Sequence, residues 1–218
     1  MHISKLEFFA VVIAIFLGLH FYNQQMVESE QLEEMMEIPL YFDEENPPVI
    51  VAFGNSLTYG SGASREKSYP AWLSKMLGVE VINAGVPGET TSEGLKRLPS
   101  VLKRYRPTIV ILSEGANDML RGKRYSTIRE NLRKMIESIK RSGAKVLLIG
   151  MPDINALLMD DAGFYEEVAQ QTGVTYVEDL FADVLAEDTL KSDYLHPNGE
   201  GYKAVAKKLN QAIRELLE

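Results

Sequence analysis

The sequence predicts an α/β protein, a three-layer α/β/α sandwich around a five-stranded parallel sheet. Three observations predict it. Five short apolar runs recur along the chain, as strands buried on both faces require. Segments with helical periodicity separate them, several closed by a glycine. Strands that alternate with helices return to the same edge of a sheet and pair in parallel.

Val49 to Phe53 is the first run, ended by Gly54. Tyr69 to Leu77 reads as a helix that stops at Gly78, and Val79 to Asn83 as the second strand. Thr91 to Tyr105 is helical with a kink expected at Pro99, because proline removes a backbone donor and crowds the preceding turn. Thr108 to Leu112 is the third strand. Tyr125 to Arg141 carries Ile128, Leu132, Met135, Ile136 and Ile139 on one stripe, and Gly143 closes it. Lys145 to Ile149 is the fourth strand, Gly163 to Thr172 a helix, Val174 to Val177 a short fifth strand, and Gly199 to Leu217 a long final helix.

The chain has 218 residues, enough for one domain with an appendage. Hydrophobic residues make up 45% and charged residues 25%, which excludes a disordered or fibrous chain. The net charge of −8 is uneven. Residues 1–47 hold nine acids and one base, and residues 48–218 hold 22 of each. The acidity therefore belongs to the N-terminal part. Neither part carries the net positive charge expected of a nucleic-acid binder. Cysteine is absent, so disulfides, thiolate metal sites and a cysteine nucleophile are excluded.

Residues 8–19, FFAVVIAIFLGL, follow Lys5 and precede the acids. The run is short for a spanning helix, which wants roughly 20 apolar residues, and fits a secretory apolar core of about 7–15. No small-residue cleavage motif follows it. Residues 1–22 thus read as a signal anchor or a cleaved signal peptide, the anchor favoured. Positive charge remains inside, so the domain is expected to face the periplasm or cell exterior, or to be secreted if the leader is cleaved. Residues 23–47 read as an acidic linker. Asn46-Pro47-Pro48 breaks any helix, and a domain over 48–218 follows.

In a parallel sheet the ligand site lies beyond the carboxyl ends of the strands. After the first strand stands Gly54-Asn55-Ser56-Leu57-Thr58. A serine on such a turn presents its hydroxyl at the sheet edge; it equally serves as a helix cap. After the second comes Asn83-Ala84-Gly85-Val86-Pro87-Gly88-Glu89-Thr90, where glycine permits close backbone approach and Gly88 reads as turn geometry. After the third comes Glu114-Gly115-Ala116-Asn117-Asp118. Asn117 offers either an amide donor to a developing oxyanion or an Asx turn, and Glu114 reads as solvated. Residues 151–165 follow the fourth strand and lie where a pocket would be overhung, with Leu157, Leu158 and Met159 facing either an acyl chain or local packing. Last is Asp193-Tyr194-Leu195-His196-Pro197-Asn198. His196 is the sole histidine of the domain, and Asp193 stands three residues before it to fix its tautomer.

These four blocks, in this order over roughly residues 49–217, resemble the SGNH, or GDSL-type, serine hydrolases. Gly115 to Gly122 is most similar to the thioesterase I, lysophospholipase and arylesterase branch. The resemblance implies a flavodoxin-like fold with Ser56 as nucleophile, His196 as general base and then acid, and Asp193 as its orienting carboxylate. It also implies an oxyanion hole from the Ser56 and Gly85 amides and the Asn117 side chain. Neither a metal nor a cofactor is implied. The family usually carries Asp directly before the nucleophile, where this chain has Asn55. Asn keeps the acceptor oxygen and loses the charge. The expected activity is hydrolysis of small acyl esters, thioesters or lysophospholipids through an acyl-enzyme, by an enzyme held at the membrane through its N-terminal segment. The alternatives are an O-acetylesterase of envelope polysaccharide and a non-catalytic binding domain of the same fold.

Overall fold

The computed structural model describes residues 47–153 and 162–217. The leader over 1–22 and the linker up to residue 46 lie outside the described residues, as do Leu157, Leu158 and Met159. Among the described residues no helix is long and apolar enough to cross a membrane.

Five strands form one parallel sheet: β1 Ile50–Gly54, β2 Val81–Gly85, β3 Ile109–Ser113, β4 Lys145–Ile149 and β5 Thr175–Val177. Their spatial order is β2-β1-β3-β4-β5. The central strands β1 and β3 are buried along their whole length, which is why they read as unbroken apolar runs. The chain runs from β1 to β2 on one side and then crosses to β3 on the other, so the order reverses between β1 and β3. A crevice opens at that switch point.

Eight helices complete the described chain: α1 Ser56–Tyr59, α2 Tyr69–Leu77, α3 Thr91–Tyr105, α4 Ala116–Leu120, α5 Tyr125–Arg141, α6 Phe164–Thr172, α7 Leu180–Ala186 and α8 Gly199–Leu217. On one side α3 packs against α5 and α5 against α6; on the other α2 and α7 pack against α8. The predicted stripe of α5, Ile128, Leu132, Met135, Ile136 and Ile139, is buried without exception. Helix α3 begins in a capping box, with Thr90 N–H donating to Glu93 at 2.9 Å, and is assigned as one helix through Pro99.

The first three strands end one to two residues later than their apolar runs. Gly54 pairs with Gly85 on one side and with Ser113 on the other, so three strands finish in one row. Everything that follows that row emerges at a single edge of the sheet.

Candidate active site

Helix α1 is one turn long and starts at Ser56. Asn55 caps it: its Oδ1 accepts from Leu57 N–H at 3.0 Å. The cap and the short strand-to-helix turn leave Ser56 on the carboxyl edge of β1. Asn55 is fully buried, and its Nδ2 has no hydrogen-bond partner. The acceptor that the turn needs is thus present, and the donor that distinguishes Asn from Asp is unused.

His196 reaches Ser56 from the other end of the chain. Its loop is held by Ser192 N–H donating to the His196 carbonyl at 2.9 Å, Asn198 N–H donating to the Leu190 carbonyl at 2.8 Å, and a bridge between Lys191 and Pro197. The Tyr202 hydroxyl donates to the Ser61 carbonyl at 2.7 Å, tying α8 to the loop behind α1. In that frame His196 Nε2 lies 3.1 Å from Ser56 Oγ, and His196 Nδ1 lies 3.0 Å from each oxygen of Asp193. Asp193 Oδ1 also accepts from the Leu195 and His196 amides at 2.8 and 3.0 Å. Partial desolvation pushes the Asp193 carboxyl up. The Leu195 amide and the His196 contacts outweigh it and hold the carboxyl below its ordinary value.

Asn117 sits in the first turn of α4 and donates from Nδ2 to the Glu89 carbonyl at 3.0 Å. Its neighbour Asp118 serves the scaffold. The two oxygens of Asp118 accept from the Thr91 amide at 2.7 Å and the Thr91 hydroxyl at 2.8 Å, locking α4 to the start of α3.

Gly85 lies elsewhere than the resemblance implies. Its N–H donates to Asn83 Oδ1 at 3.0 Å, and it does not line the cleft beside Ser56. A Cβ there would come within 2.2 Å of Tyr59 N, so Gly85 lets β2 pass directly beneath α1. The cleft is lined instead by Gly88. Glu89 N–H donates to the Val86 carbonyl at 3.1 Å, and Gly88 has φ +80° behind Pro87, the geometry of a type II turn. Gly88 makes the turn that its sequence signals, and the same turn carries it into the site. Among the described residues neither the Ser56 nor the Gly88 N–H has a hydrogen-bond acceptor. The Pro-Gly pair soon after β2 is the signal in the sequence.

The cleft holds about 300 Å³. Its polar side is Ser56, His196, Asn117 and Gly88; its apolar side is Leu57, Pro87, Leu120, Pro152, Leu185 and Leu195. Leu185 comes from α7, a short helix that sequence periodicity does not predict. Glu114 differs from expectation outright. It is fully buried at the end of β3, not solvated.

A hydroxyl, an imidazole and a carboxylate in hydrogen-bonded series, at the carboxyl edge of a parallel sheet, are the arrangement of a serine hydrolase. Residues 52–204 match the model of the GDSL-like lipase/acylhydrolase family, and the chain belongs to that family. It is similar to an arylesterase of Vibrio mimicus, 33% identical over 75% of this chain and 87% of the relative. It is also similar to thioesterase 1/protease 1/lysophospholipase L1 of Escherichia coli K12, 28% identical over 77% of this chain and 84% of the relative. Among solved structures, the SGNH-hydrolase family esterase AlinE4 is 31% identical with a TM-score of 0.58, over 79% of this chain and 98% of that one. The chain is accordingly a carboxylic ester hydrolase of this family.

Proposed function

We propose that Ser56 is the nucleophile of acyl transfer, with His196 and Asp193 as its relay. The observation that carries this reading is the imidazole, 3.1 Å from Ser56 Oγ on one side and 3.0 Å from Asp193 on the other. Ser56 Oγ attacks the acyl carbonyl as His196 Nε2 takes its proton. Asp193, ionised, stabilises the imidazolium that forms. The oxyanion is received by the Ser56 and Gly88 amides and Asn117 Nδ2. Collapse breaks the bond to the leaving oxygen or sulfur, to which His196 returns the proton. Water then enters by the same route and releases the acid. Asn117 keeps one amide hydrogen on the Glu89 carbonyl, which leaves the other for the oxyanion.

The substrate is an ester or thioester with a single acyl chain, a small acyl ester or a lysophospholipid. A mostly apolar cleft of about 300 Å³ stands at the small end of ligand sites and suits one chain better than two. The names of the arylesterase and of the thioesterase/lysophospholipase relative support ester, thioester and lysophospholipid substrates. The apolar run 8–19 supports an enzyme held on a membrane with its domain outside.

A fluorophosphonate should label the protein at Ser56 and nowhere else, as located by mass spectrometry. Labelling at another residue, or none, sinks the reading. A p-nitrophenyl ester series from acetate to decanoate should peak below the longest chain; activity confined to acetylated glycans would favour the polysaccharide alternative. Removing residues 1–22 should convert a membrane-fraction protein into a soluble, active one. Intact protein already soluble, starting near residue 23, would show instead that the leader is cleaved.

A further inference from the structure

Beneath the proposed oxyanion site lies a charged cluster that the reaction does not use. Glu114 follows β3 and is fully buried. Its Oε2 accepts from the Gly115 amide at 3.3 Å, while Oε1 has no donor. What it faces is a second carboxylate, Glu89, also buried. Glu89 is held by the one cation in contact with the cluster among the described residues. Arg97 Nε donates to Glu89 Oε1 at 2.8 Å and its Nη2 to Oε2 at 2.5 Å. Arg97 also donates to the Ala84 carbonyl at 3.0 Å and stacks over the Phe53 ring, so it is fixed on β1 and β2. The third carboxylate, Asp118 on α4, brings no relief, because both its oxygens are occupied by Thr91. The Tyr165 hydroxyl on α6 gives its one proton to the Glu114 carbonyl.

Two buried carboxylates facing one another are not both ionised when the one guanidinium is bound to Glu89 alone; one proton satisfies both, donated by one carboxyl and accepted by the other. Glu89 already has Arg97, so the proton belongs on Glu114. We propose that Glu114 is a positioning residue, neutral in the working enzyme, whose carboxyl proton is donated to Glu89 and holds the Val86–Glu89 turn in place.

The consequence reaches the chemistry through two groups of that turn. The Glu89 carbonyl fixes Asn117, and Gly88 supplies an amide. Burial, first, and then the neighbouring Glu89 charge push the Glu114 carboxyl well above its ordinary value, which agrees with the geometry. This inference rests on the oxyanion role given above to Gly88 and Asn117.

Glu114→Gln is the test, since an amide donates to Glu89 as the protonated acid does but cannot ionise. Wild type should lose kcat at alkaline pH as Glu114 ionises, with KM nearly constant. Glu114→Gln should keep kcat within about threefold at neutral pH and lack that alkaline loss. Glu114→Leu, which has no donor, should lose at least about tenfold in kcat at every pH. Fluorophosphonate capture of Ser56 is followed in all three proteins, so that a failed nucleophile assignment is seen separately. An alkaline limb unchanged in Glu114→Gln, or Glu114→Leu as active as Glu114→Gln, overturns the proposal. If Glu114→Leu does not fold, the pH profiles of wild type and Glu114→Gln decide alone.

Discussion

In the proposed mechanism three side chains carry the reaction, and they act as a unit. Ser56→Ala should reduce kcat by about 10⁴- to 10⁶-fold and leave the circular dichroism spectrum unchanged. His196→Ala should come close to it, and the double variant should be little worse than either. Multiplied losses would mean independent roles. Because Asp193 is held below its ordinary value by its hydrogen bonds, it stays ionised in mild acid. Its contribution is present above the ordinary carboxyl range and lost only as pH falls through the lower folded value. Loss of kcat/KM in mild acid is therefore not expected to come from Asp193. A loss in mild acid that is present in wild type and absent from Asp193→Asn would contradict this. Asn55 is the other residue whose change is informative. Its Oδ1 does the capping and its Nδ2 is orphaned. Asn55→Asp removes a buried unpaired donor worth about 1–3 kcal/mol and makes the cap charge-assisted, at some cost in burying charge. It should raise Tm and change kcat less than about tenfold. Inert wild type rescued by Asn55→Asp would mean a non-catalytic chain.

At the scale of elements, the glycines of the second block part company. Gly85 acts by absence of a side chain beneath α1, so Gly85→Ala should cost about 1–3 kcal/mol through overpacking and lower Tm and activity together. Asn117→Ala removes the proposed side-chain donor to the oxyanion. It should lower kcat about 10²- to 10³-fold with little change in Tm. If Gly85→Ala instead behaved like Asn117→Ala, the resemblance would have been the better guide. Helices α5 and α8 are legible in the sequence because four or five turns repeat an apolar stripe often enough to fix their bounds. The single-turn helices α1 and α4 have no period to repeat. The place of Gly85 is not legible, because a glycine looks alike whether it approaches a ligand or a neighbouring helix. The burial of Glu114 is hidden too. A carboxyl at a strand end is usually solvated, and only the meeting of three chain segments shows that this one is shut in with Glu89 and Arg97. The strand ends slip because glycine and serine signal turns, while the parallel register carries them into the ladder as a common last row.

At the scale of the molecule, Glu114 couples the site to overall stability. Its folded-state carboxyl is raised, so the stabilisation by its proton is complete below the ordinary value near 4.5 and declines as pH rises toward and through the folded value. Calorimetric Tm of wild type should therefore fall more steeply from about pH 5 upward than that of Glu114→Gln. Parallel slopes would mean that the carboxyl is ionised in the fold.

The contact between His196 and Ser56 closes a loop of 140 residues, and it requires α8 to be docked on α2 behind it. On the proposed roles, synthesis makes the nucleophile early and its base late. While the chain grows, Ser56 is an ordinary hydroxyl with no partner to ionise it. Hydrolytic power appears only when the last third of the domain has been translated and folded back. A newly made or unfolded copy thus poses no threat to the acyl esters of the cell that makes it, and turnover becomes a direct readout of completed folding.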